Sequence, residues 1–301
     1  MIEAVLTGAV RGGSSIMFAA LGETISERAG VINLGTEGSM LAGALAAYAV
    51  TVETGNVVVG VIAGALAGML IAAVHGIMVV QRGANQLATG IAVLFLAMGI
   101  TSLLGRDYVG VGIDGIGTWR IPGLASIPFL GPILFNHDPL TYLAIIAAPT
   151  VWWLMYRTKL GLLVRAAGER GEVLFAYGYS PARVRMGAVC VGGMFAGLGG
   201  AQLSTAYAVN WSEDMTQGRG FVAVALVIFA AWNPLGAMWG ALFFGGVLSL
   251  QLQLQAQGVG ISPFFLDALP YVATIVVLIG FSTRNRHAAP EGLSRVFETS
   301  S

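Results

Sequence analysis

The stretch LGLLVRAAGERGEVLFAYGYSPARVR, residues 160–185, differs sharply from the sequence on either side of it. It holds four arginines and two glutamates, whereas charged residues make up only 10% of the whole 301-residue chain. A soluble domain carries about 25% charged residues. The stretch is therefore predicted to be a polar connection within a protein that is otherwise embedded in lipid.

Long apolar runs lie on both sides of this connection. A helix that spans a membrane needs about 20 mostly apolar residues. Nine runs meet or approach that length: 4–22, 37–52, 57–80, 86–104, 139–156, 183–208, 218–232, 235–256 and 264–282. The sequence thus predicts an all-α integral membrane protein, a bundle of about nine (8–10) transmembrane helices that forms a single transmembrane domain over residues 1–301.

The sequence also predicts where four of these helices begin and which of them are irregular. Asp138-Pro139, Ser180-Pro181, Asn233-Pro234 and Ser262-Pro263 each place an N-cap residue before a proline, a typical helix start. The runs 37–52 and 218–232 are short, which favours tilted or broken helices there.

The arginines predict the orientation, because loops on the cytoplasmic side are enriched in Lys and Arg. With residues 160–185 inside the cell, eleven cationic residues fall on the inner side and three, Arg106, Arg120 and Arg219, on the outer side. Residues 158–182 are then a cytoplasmic loop, 105–138 an extracytoplasmic loop, and 283–301 a cytoplasmic tail.

The charged stretch also carries a helical pattern. Val173, Ala176 and Tyr177 share one face, and Glu169 and Glu172 are expected in the first turn, where the helix dipole favours acids. Gly178 fits the position after the last helical residue. These features predict one short amphipathic helix, which either contacts anionic lipid or docks a cytoplasmic partner.

Residues 165–204, RAAGERGEVLFAYGYSPARVRMGAVCVGGMFAGLGGAQLS, resemble the coupling loop and following helix in permeases of ATP-binding-cassette (ABC) importers of the branched-chain amino acid, ribose and nucleoside type. Residues 22–48 are similar to the nucleoside branch of these permeases, and 232–245 agree with the family. The resemblance assigns coupling to an ATPase to six residues: Arg165, Gly168, Glu169, Ala176, Gly178 and Arg183.

The resemblance implies an importer subunit in the bacterial or archaeal cell (inner) membrane that forms a path for nucleosides or related ribosyl compounds. It further implies an ABC ATPase, a second paralogous permease in a heterodimer, an extracytoplasmic substrate-binding lipoprotein, and contact with membrane lipid. A simple-sugar or branched-chain amino acid importer is the alternative within the family. An ion-coupled secondary transporter with an intramembrane carboxylate is the alternative outside it.

The chain is not expected to be an enzyme. Its single lysine, Lys159, is followed by Leu160, so the GxxxxGK[ST] loop that binds ATP phosphates is absent from the sequence. ATP and Mg²⁺ are therefore expected on the partner ATPase, and this chain is expected to bind no cofactor or metal. The net charge of zero gives no attraction to nucleic acid.

Two polar segments are candidates for the substrate pathway. Residues 27–38, ERAGVINLGTEG, predict a broken backbone that places Asn33 and Glu37 at membrane depth, either lining a cavity or forming a structural break. Residues 84–90, ANQLATG, place Asn85, Gln86 and Thr89 at the start of a helix, where they either line the pathway or, for Asn85, cap the helix.

Overall fold

The structure is a computed structural model that describes residues 1–258, 262–281 and 289–293. It is built almost entirely from helices. The α-helices up to residue 281, within the described part of the chain, are α1 (Ile2–Arg28), α2 (Thr36–Thr54), α3 (Val57–Gly76), α4 (Gln86–Gly105), α5 (Leu130–Leu134), α6 (Pro139–Arg157), α7 (Lys159–Glu169), α8 (Gly171–Ala176), α9 (Pro181–Gln202), α10 (Arg219–Phe229), α11 (Pro234–Ala256) and α12 (Pro263–Phe281). Single π-helical turns, Ile77–Gln81 and Leu203–Tyr207, extend α3 and α9, and a 3₁₀ turn, Arg106–Tyr108, extends α4.

The predicted helix starts are confirmed. Helices α6, α9 and α11 each begin at a proline, and the preceding side chain caps the first turn. Asp138 Oδ1 accepts a hydrogen bond from Thr141 N at 2.9 Å, and Asn233 Oδ1 accepts one from Leu235 N at 3.0 Å. Each cap satisfies a backbone N–H that has no partner within the helix.

Six helices within the described residues are long and apolar enough to cross a membrane, which makes this a multi-pass helical membrane protein. They are α1, α3 and α9 with their π-helical turns, α4 with its 3₁₀ turn, α6 and α11. The structure supports the all-α membrane fold without supporting a count of nine spans. The predicted runs 37–52, 218–232 and 264–282 correspond to α2, α10 and α12, which lie outside those six.

Helices α2 and α10 depart from the prediction for different reasons. Helix α2 is long enough but carries the buried Glu37 and several hydroxyls, which a helix surrounded by α3, α4 and α9 tolerates, and Glu53 is exposed near its end. Helix α10 has 11 residues, a length of about 16 Å, whereas the apolar core of a bilayer is about 30 Å thick. Helix α10 is therefore a half-helix.

Glycines bring α2, α3 and α9 into backbone contact. A Cβ built on Gly43 would lie 2.5 Å from Gly197 Cα, and one on Gly68 would lie 2.6 Å from the same atom. Lipid tails are as apolar as the side chains, so burying an apolar side chain between two helices in a bilayer gains little. Small residues instead let the helices associate through close packing of their backbones. These three helices consequently form a tightly packed frame.

The ends of the bundle form two faces. The α7–α8 face carries helices α7 and α8, the end of α1 at Arg28 and the start of α4. The loop face carries residues 106–138, in which strands β1 (Trp119–Arg120) and β2 (Asn136–His137) pair antiparallel. His137 is fully buried there, its Nε2 lies 2.7 Å from Ile133 O, and burial lowers the pKa of its imidazole.

The charged stretch forms two short helices where one was predicted. Arg170 adopts an extended conformation, φ −142° and ψ 82°, and this separates α7 from α8. Glu169 is therefore the last residue of α7 and does not lie in a first turn, whereas Glu172 does lie in the first turn of α8. The predicted tail, 283–301, lies outside the described residues except for 289–293.

Candidate functional site

The surface of α8 exposes large apolar side chains. Phe175 is 72% exposed and Tyr177 79% exposed, whereas Leu174, the residue before Phe175, is buried. Val173 and Tyr179 are also exposed, so the predicted apolar stripe faces away from the rest of the chain. A contiguous apolar patch of this kind marks a surface that contacts another protein or a membrane.

A cleft of about 1130 Å³ opens beside α8 on the same face. Gly168 and Glu169, predicted to couple to an ATPase, line it together with Asn85 and Gln86, predicted to lie on the substrate pathway. Glu169 Oε2 also accepts a hydrogen bond from Glu291 N at 3.3 Å. Two groups that the sequence analysis placed in separate sites thus share one cleft.

Gly168 lies directly against the end of α1. A Cβ at this position would overlap the carbonyl oxygen of Arg28 and would lie 3.0 Å from Gly30 N, so only glycine allows this approach. Arg185 fastens the contact, because its Nη2 donates to Ala167 O at 2.8 Å and its Nε donates to Ala29 O at 3.2 Å. Helix α7 is therefore held on the backbone of residues 28–30.

The other four predicted coupling residues spread over the α7–α8 face. The guanidinium of Arg165 lies 5.2 Å from the ring centroid of Tyr156. Gly178 adopts a φ of +83° immediately after the cap of α8, a conformation that glycine adopts without strain. Ala176 and Arg183 are exposed.

The broken backbone at residues 29–35 is held by side chains from three helices. Gln86 Oε1 accepts from Ile32 N at 2.8 Å, and His75 Nε2 lies 3.0 Å from Ile32 O. Glu23 Oε1 accepts from Asn33 N at 2.7 Å. Irregular backbone inside a membrane is tolerated only when its polar groups are satisfied, and these contacts satisfy them.

Most pathway candidates therefore stabilise local backbone. The side chain of Asn33 is buried and its Oδ1 accepts from Gly35 N at 2.9 Å. Asn85 caps α4 by accepting from Ala88 N at 3.0 Å, as the alternative interpretation predicted. Thr89 is half-buried in the first turn of α4.

Glu37 has a different role, because its carboxylate links α2 to α10. It accepts three hydrogen bonds: from Thr216 Oγ1 at 2.6 Å, Gly218 N at 2.8 Å and Gly220 N at 2.5 Å. A carboxylate is favourable at the N-terminus of a helix, where the helix dipole is positive and backbone N–H groups lack partners. The side chain is 3% exposed, so this contact is shielded from water.

This contact places the start of α10 inside the bundle. Gly38, one residue after Glu37, packs against Leu94 and Ala97 near the middle of α4. Arg219, in the first turn of α10, therefore lies close to Glu37 within the bundle. Its guanidinium lies 5.4 Å from the ring centroid of Tyr207.

Residues with a positive φ, in the left-handed region, lie at both ends of α10. Gln217 (φ 48°) and Gly218 (φ 79°) precede it, and Ala231 (φ 51°) and Trp232 (φ 56°) follow it. A positive φ is uncommon for residues other than glycine and is a strained conformation for a bulky residue such as Trp. The surrounding structure must therefore hold the turn after α10 in place.

Two consecutive residues of α1 hold that turn. Trp232 Nε1 donates to Glu27 Oε2 at 2.5 Å, and Arg28 donates to Trp232 O at 3.0 Å and to Ala231 O at 3.2 Å. Glu27 and Trp232 are both buried. The guanidinium of Arg28 is a charged donor, and charge-assisted hydrogen bonds are stronger than neutral ones, so its two bonds stabilise the strained turn.

A chamber of about 600 Å³ lies at the first turn of α10, between α10, α11 and α12. Gln217, Arg219 and Gln251 line it together with Phe244. Amides and a guanidinium supply hydrogen-bond donors, and an aromatic ring supplies an apolar surface, so the chamber suits a polar ligand that carries a ring. This chamber was not among the predicted sites, although Gly218-Arg219-Gly220 before a short apolar run was a signal for it.

Comparisons with known proteins agree with this architecture. Residues 5–280 match the profile of a family described as branched-chain amino acid transport system, permease component. The putative glucose ABC transporter permease protein TsgC13 of Haloferax volcanii is 38% identical, over 91% of this chain and 90% of its own length.

Two bacterial relatives are almost as similar. The nucleoside ABC transporter permease protein NupC of Lactococcus lactis is 32% identical, over 88% of each chain. The guanosine ABC transporter permease protein NupQ of Bacillus subtilis is 31% identical, over 89% of each chain. No solved structure matches this chain.

Proposed function

Because the chain belongs to the family of permease components of branched-chain amino acid transport systems, we propose that it is the membrane subunit of an ATP-driven importer for nucleosides or related ribosyl compounds. In this role it forms the translocation path and couples to an ATPase on a separate chain. ATP and Mg²⁺ bind that partner. This chain carries out no catalysis of its own.

One observation supports the coupling role above the others. Helix α8 presents Phe175 and Tyr177 to the outside, and Gly168 next to it rests on the backbone of α1. A protein that docks on α8 can therefore displace α7, and through Gly168 it can displace the end of α1. If the patch only contacted lipid, no contact between this face and α1 would be expected.

The proposed orientation follows from this docking surface. The α7–α8 face is cytoplasmic, with the coupling loop at 158–182, and the loop at 105–138 is extracytoplasmic. The tail at 283–301 is then cytoplasmic, and α2, α10 and α12 complete a nine-helix membrane domain within residues 1–301. The eleven cationic residues that the sequence analysis places on the inner side support this orientation.

The proposed partners are a second, paralogous permease and an extracytoplasmic substrate-binding lipoprotein. Among the similar proteins, Haloferax volcanii and Bacillus subtilis each contribute a second and more distant permease, TsgB13 and NupP, both 25% identical to this chain. Two dissimilar permeases in one organism support a heterodimer.

The chamber and the relatives support the substrate class. Two of the three relatives described above are named for a nucleoside, and the chamber offers an aromatic ring beside amide groups. A nucleoside has an aromatic base and a hydroxylated sugar, which match those two features. A glucose importer is the second candidate, because the 38% identical relative is named for glucose.

Uptake measurements test the substrate and the energy source. Cells with and without this chain are given labelled uridine, adenosine, ribose or glucose, and the assay is repeated after ATP depletion with the ion gradient clamped. We expect nucleoside uptake to require both the chain and ATP. Uptake of glucose or ribose alone would move the substrate to the sugar class, and chain-dependent uptake that runs on the ion gradient would refute the ABC mechanism.

Two variants test the docking surface. Gly168→Trp and Glu169→Arg are expected to abolish uptake while membrane insertion stays intact. Gly187→Trp is a matched control, because a Cβ at Gly187, on α9, meets nothing within 4 Å. Normal uptake by the Gly168 and Glu169 variants at normal expression would refute the assignment.

A further inference from the structure

We propose that α10 is the moving element that opens and closes the chamber, and that Glu27, Arg28 and Trp232 are the positioning residues through which α7 drives it. This inference rests on the proposed function, because it concerns how the docked ATPase acts on the chamber.

The first step is the contact between α7 and α1. Gly168 lies against the carbonyl of Arg28, and Arg185 ties Ala167 to Ala29 by two hydrogen bonds of 2.8 and 3.2 Å. With no side chain between the two backbones, a displacement of α7 cannot be absorbed by a change of rotamer. It has to move residues 28–30.

The second step is the contact between α1 and the turn after α10. The side chains of Glu27 and Arg28 hold Trp232 and Ala231 by three hydrogen bonds of 2.5 to 3.2 Å. Helix α7 contacts the backbone of Arg28, and the side chain of the same residue holds the turn after α10. A movement of this backbone is therefore passed on to the turn within one residue.

The third step is the strain at the ends of α10. Ala231 and Trp232 lie in the left-handed region, as do Gln217 and Gly218 at the other end. Strained backbone persists only where its surroundings enforce it, and it clusters in segments that switch. Hinge residues are also found at the ends of elements, where they absorb changes in φ and ψ. Helix α10 has such a position at each end.

The fourth step is the contact between α10 and the chamber. Gln217, Arg219 and Val222, in and just before the first turns of α10, form part of the chamber wall. Glycine contacts lock α2, α3 and α9 together through their backbones, so these helices cannot slide easily past one another. A short helix between two hinges is the part of this arrangement best able to move.

Variants of the turn test the inference in the intact importer, reconstituted in proteoliposomes with its ATPase, second permease and binding protein. ATP hydrolysis and uptake of labelled adenosine are measured on the same vesicles, and their ratio is the readout. Trp232→Phe removes the indole N–H that Glu27 accepts and keeps an aromatic ring. Trp239→Phe is the matched control, because Trp239, on α11, is 67% exposed.

Ala231→Gly is the second variant and protects the test against misfolding. Glycine adopts a positive φ without strain, so this change relaxes the hinge and is expected to preserve or raise thermal stability. If the strain has no role in transport, the variant should transport like the wild type.

We expect Trp232→Phe to reduce uptake by about tenfold or more, the effect of leaving one partner of a buried hydrogen bond unsatisfied. We expect Ala231→Gly to reduce uptake several-fold as well. ATP hydrolysis should change by less than about twofold in both, so the number of ATP molecules hydrolysed per nucleoside rises. Trp239→Phe should match the wild type.

Two outcomes would overturn the inference, and they are distinguishable. A wild-type ratio of ATP hydrolysis to uptake in both variants, including an equal fall of the two rates in Trp232→Phe, would refute the role of α10 alone. If the wild-type vesicles take up no adenosine with ATP but do take up glucose, the inference is tested on glucose by the same ratio. If ATP drives uptake of neither compound, the proposed function fails and the inference fails with it.

Discussion

The substitution Glu37→Gln tests the link between α2 and α10 most directly. The carboxylate accepts three hydrogen bonds of 2.5 to 2.8 Å, two from backbone N–H groups and one from a hydroxyl. Glutamine keeps one oxygen and replaces the other with an amide NH₂. Whichever way the amide is turned, its NH₂ faces the backbone N–H of either Gly218 or Gly220, and donor then meets donor.

The cost follows from what is lost. One charge-assisted hydrogen bond disappears and a buried backbone N–H is left without an acceptor, which together cost about 2–4 kcal/mol. For a protein of this size that corresponds to a fall in melting temperature of roughly 3–6 °C. Glu37→Ala should cost more, because all three donors then lose their acceptor.

Thermal unfolding of the purified protein in detergent, followed by tryptophan fluorescence, measures this effect. Glu53→Gln is the control, because Glu53 lies on the same helix, is exposed, and accepts one hydrogen bond, from the Tyr108 hydroxyl at 3.2 Å. Its effect should stay within about 0.5 kcal/mol. A Glu37→Gln protein that melts within about 1 °C of Glu53→Gln would show that the link contributes nothing to stability.

Three further predictions concern glycines and the loop face. Gly168→Ala should reduce ATP-driven uptake several-fold at normal expression, since its Cβ would meet backbone atoms of α1, whereas Gly187→Ala should leave uptake unchanged. Gly200→Ala should lower the melting temperature well below that of Gly99→Ala, because only the first Cβ would overlap a backbone carbonyl of α2. Burial lowers the pKa of His137, so the folded loop favours the neutral imidazole. The stability of the loop should therefore be constant above about pH 6.5, the pKa of an unperturbed histidine, and should fall as the pH drops below that value. His137→Gln should remove this pH dependence when protease sensitivity of residues 106–138 is measured; an unchanged pH profile would contradict the argument.

The sequence predicted the membrane helices well where composition determines the structure. Apolar runs, arginines and the Asp138-Pro139 and Asn233-Pro234 starts each reflect a local rule, and the structure confirms those starts. Helix α2 shows where composition no longer predicts the structure. Its buried glutamate and hydroxyls are tolerated only because neighbouring helices surround it. No local rule predicts that a helix will be surrounded by protein.

The candidate site was harder to predict for a related reason. Gln86 and Glu37 were identified as polar residues inside the membrane, but their functions depend on partners that are distant in sequence. Gln86 binds the backbone 54 residues earlier, and Glu37 binds α10 about 180 residues later. A single sequence shows which polar groups need partners, but not which partners they find.

The polar interior of α1 has a consequence for the synthesis of the protein. The donor to Glu27 is Trp232, 205 residues further along the chain. At a translation rate of about 5–20 residues per second, that donor follows roughly 10–40 seconds later. Throughout this interval α1 carries a carboxyl group whose hydrogen-bond donor has not yet been synthesised. Nascent chains that stop before Trp232 should therefore be held by the insertion machinery or degraded, because α1 reaches its final packing only after Trp232 has been made.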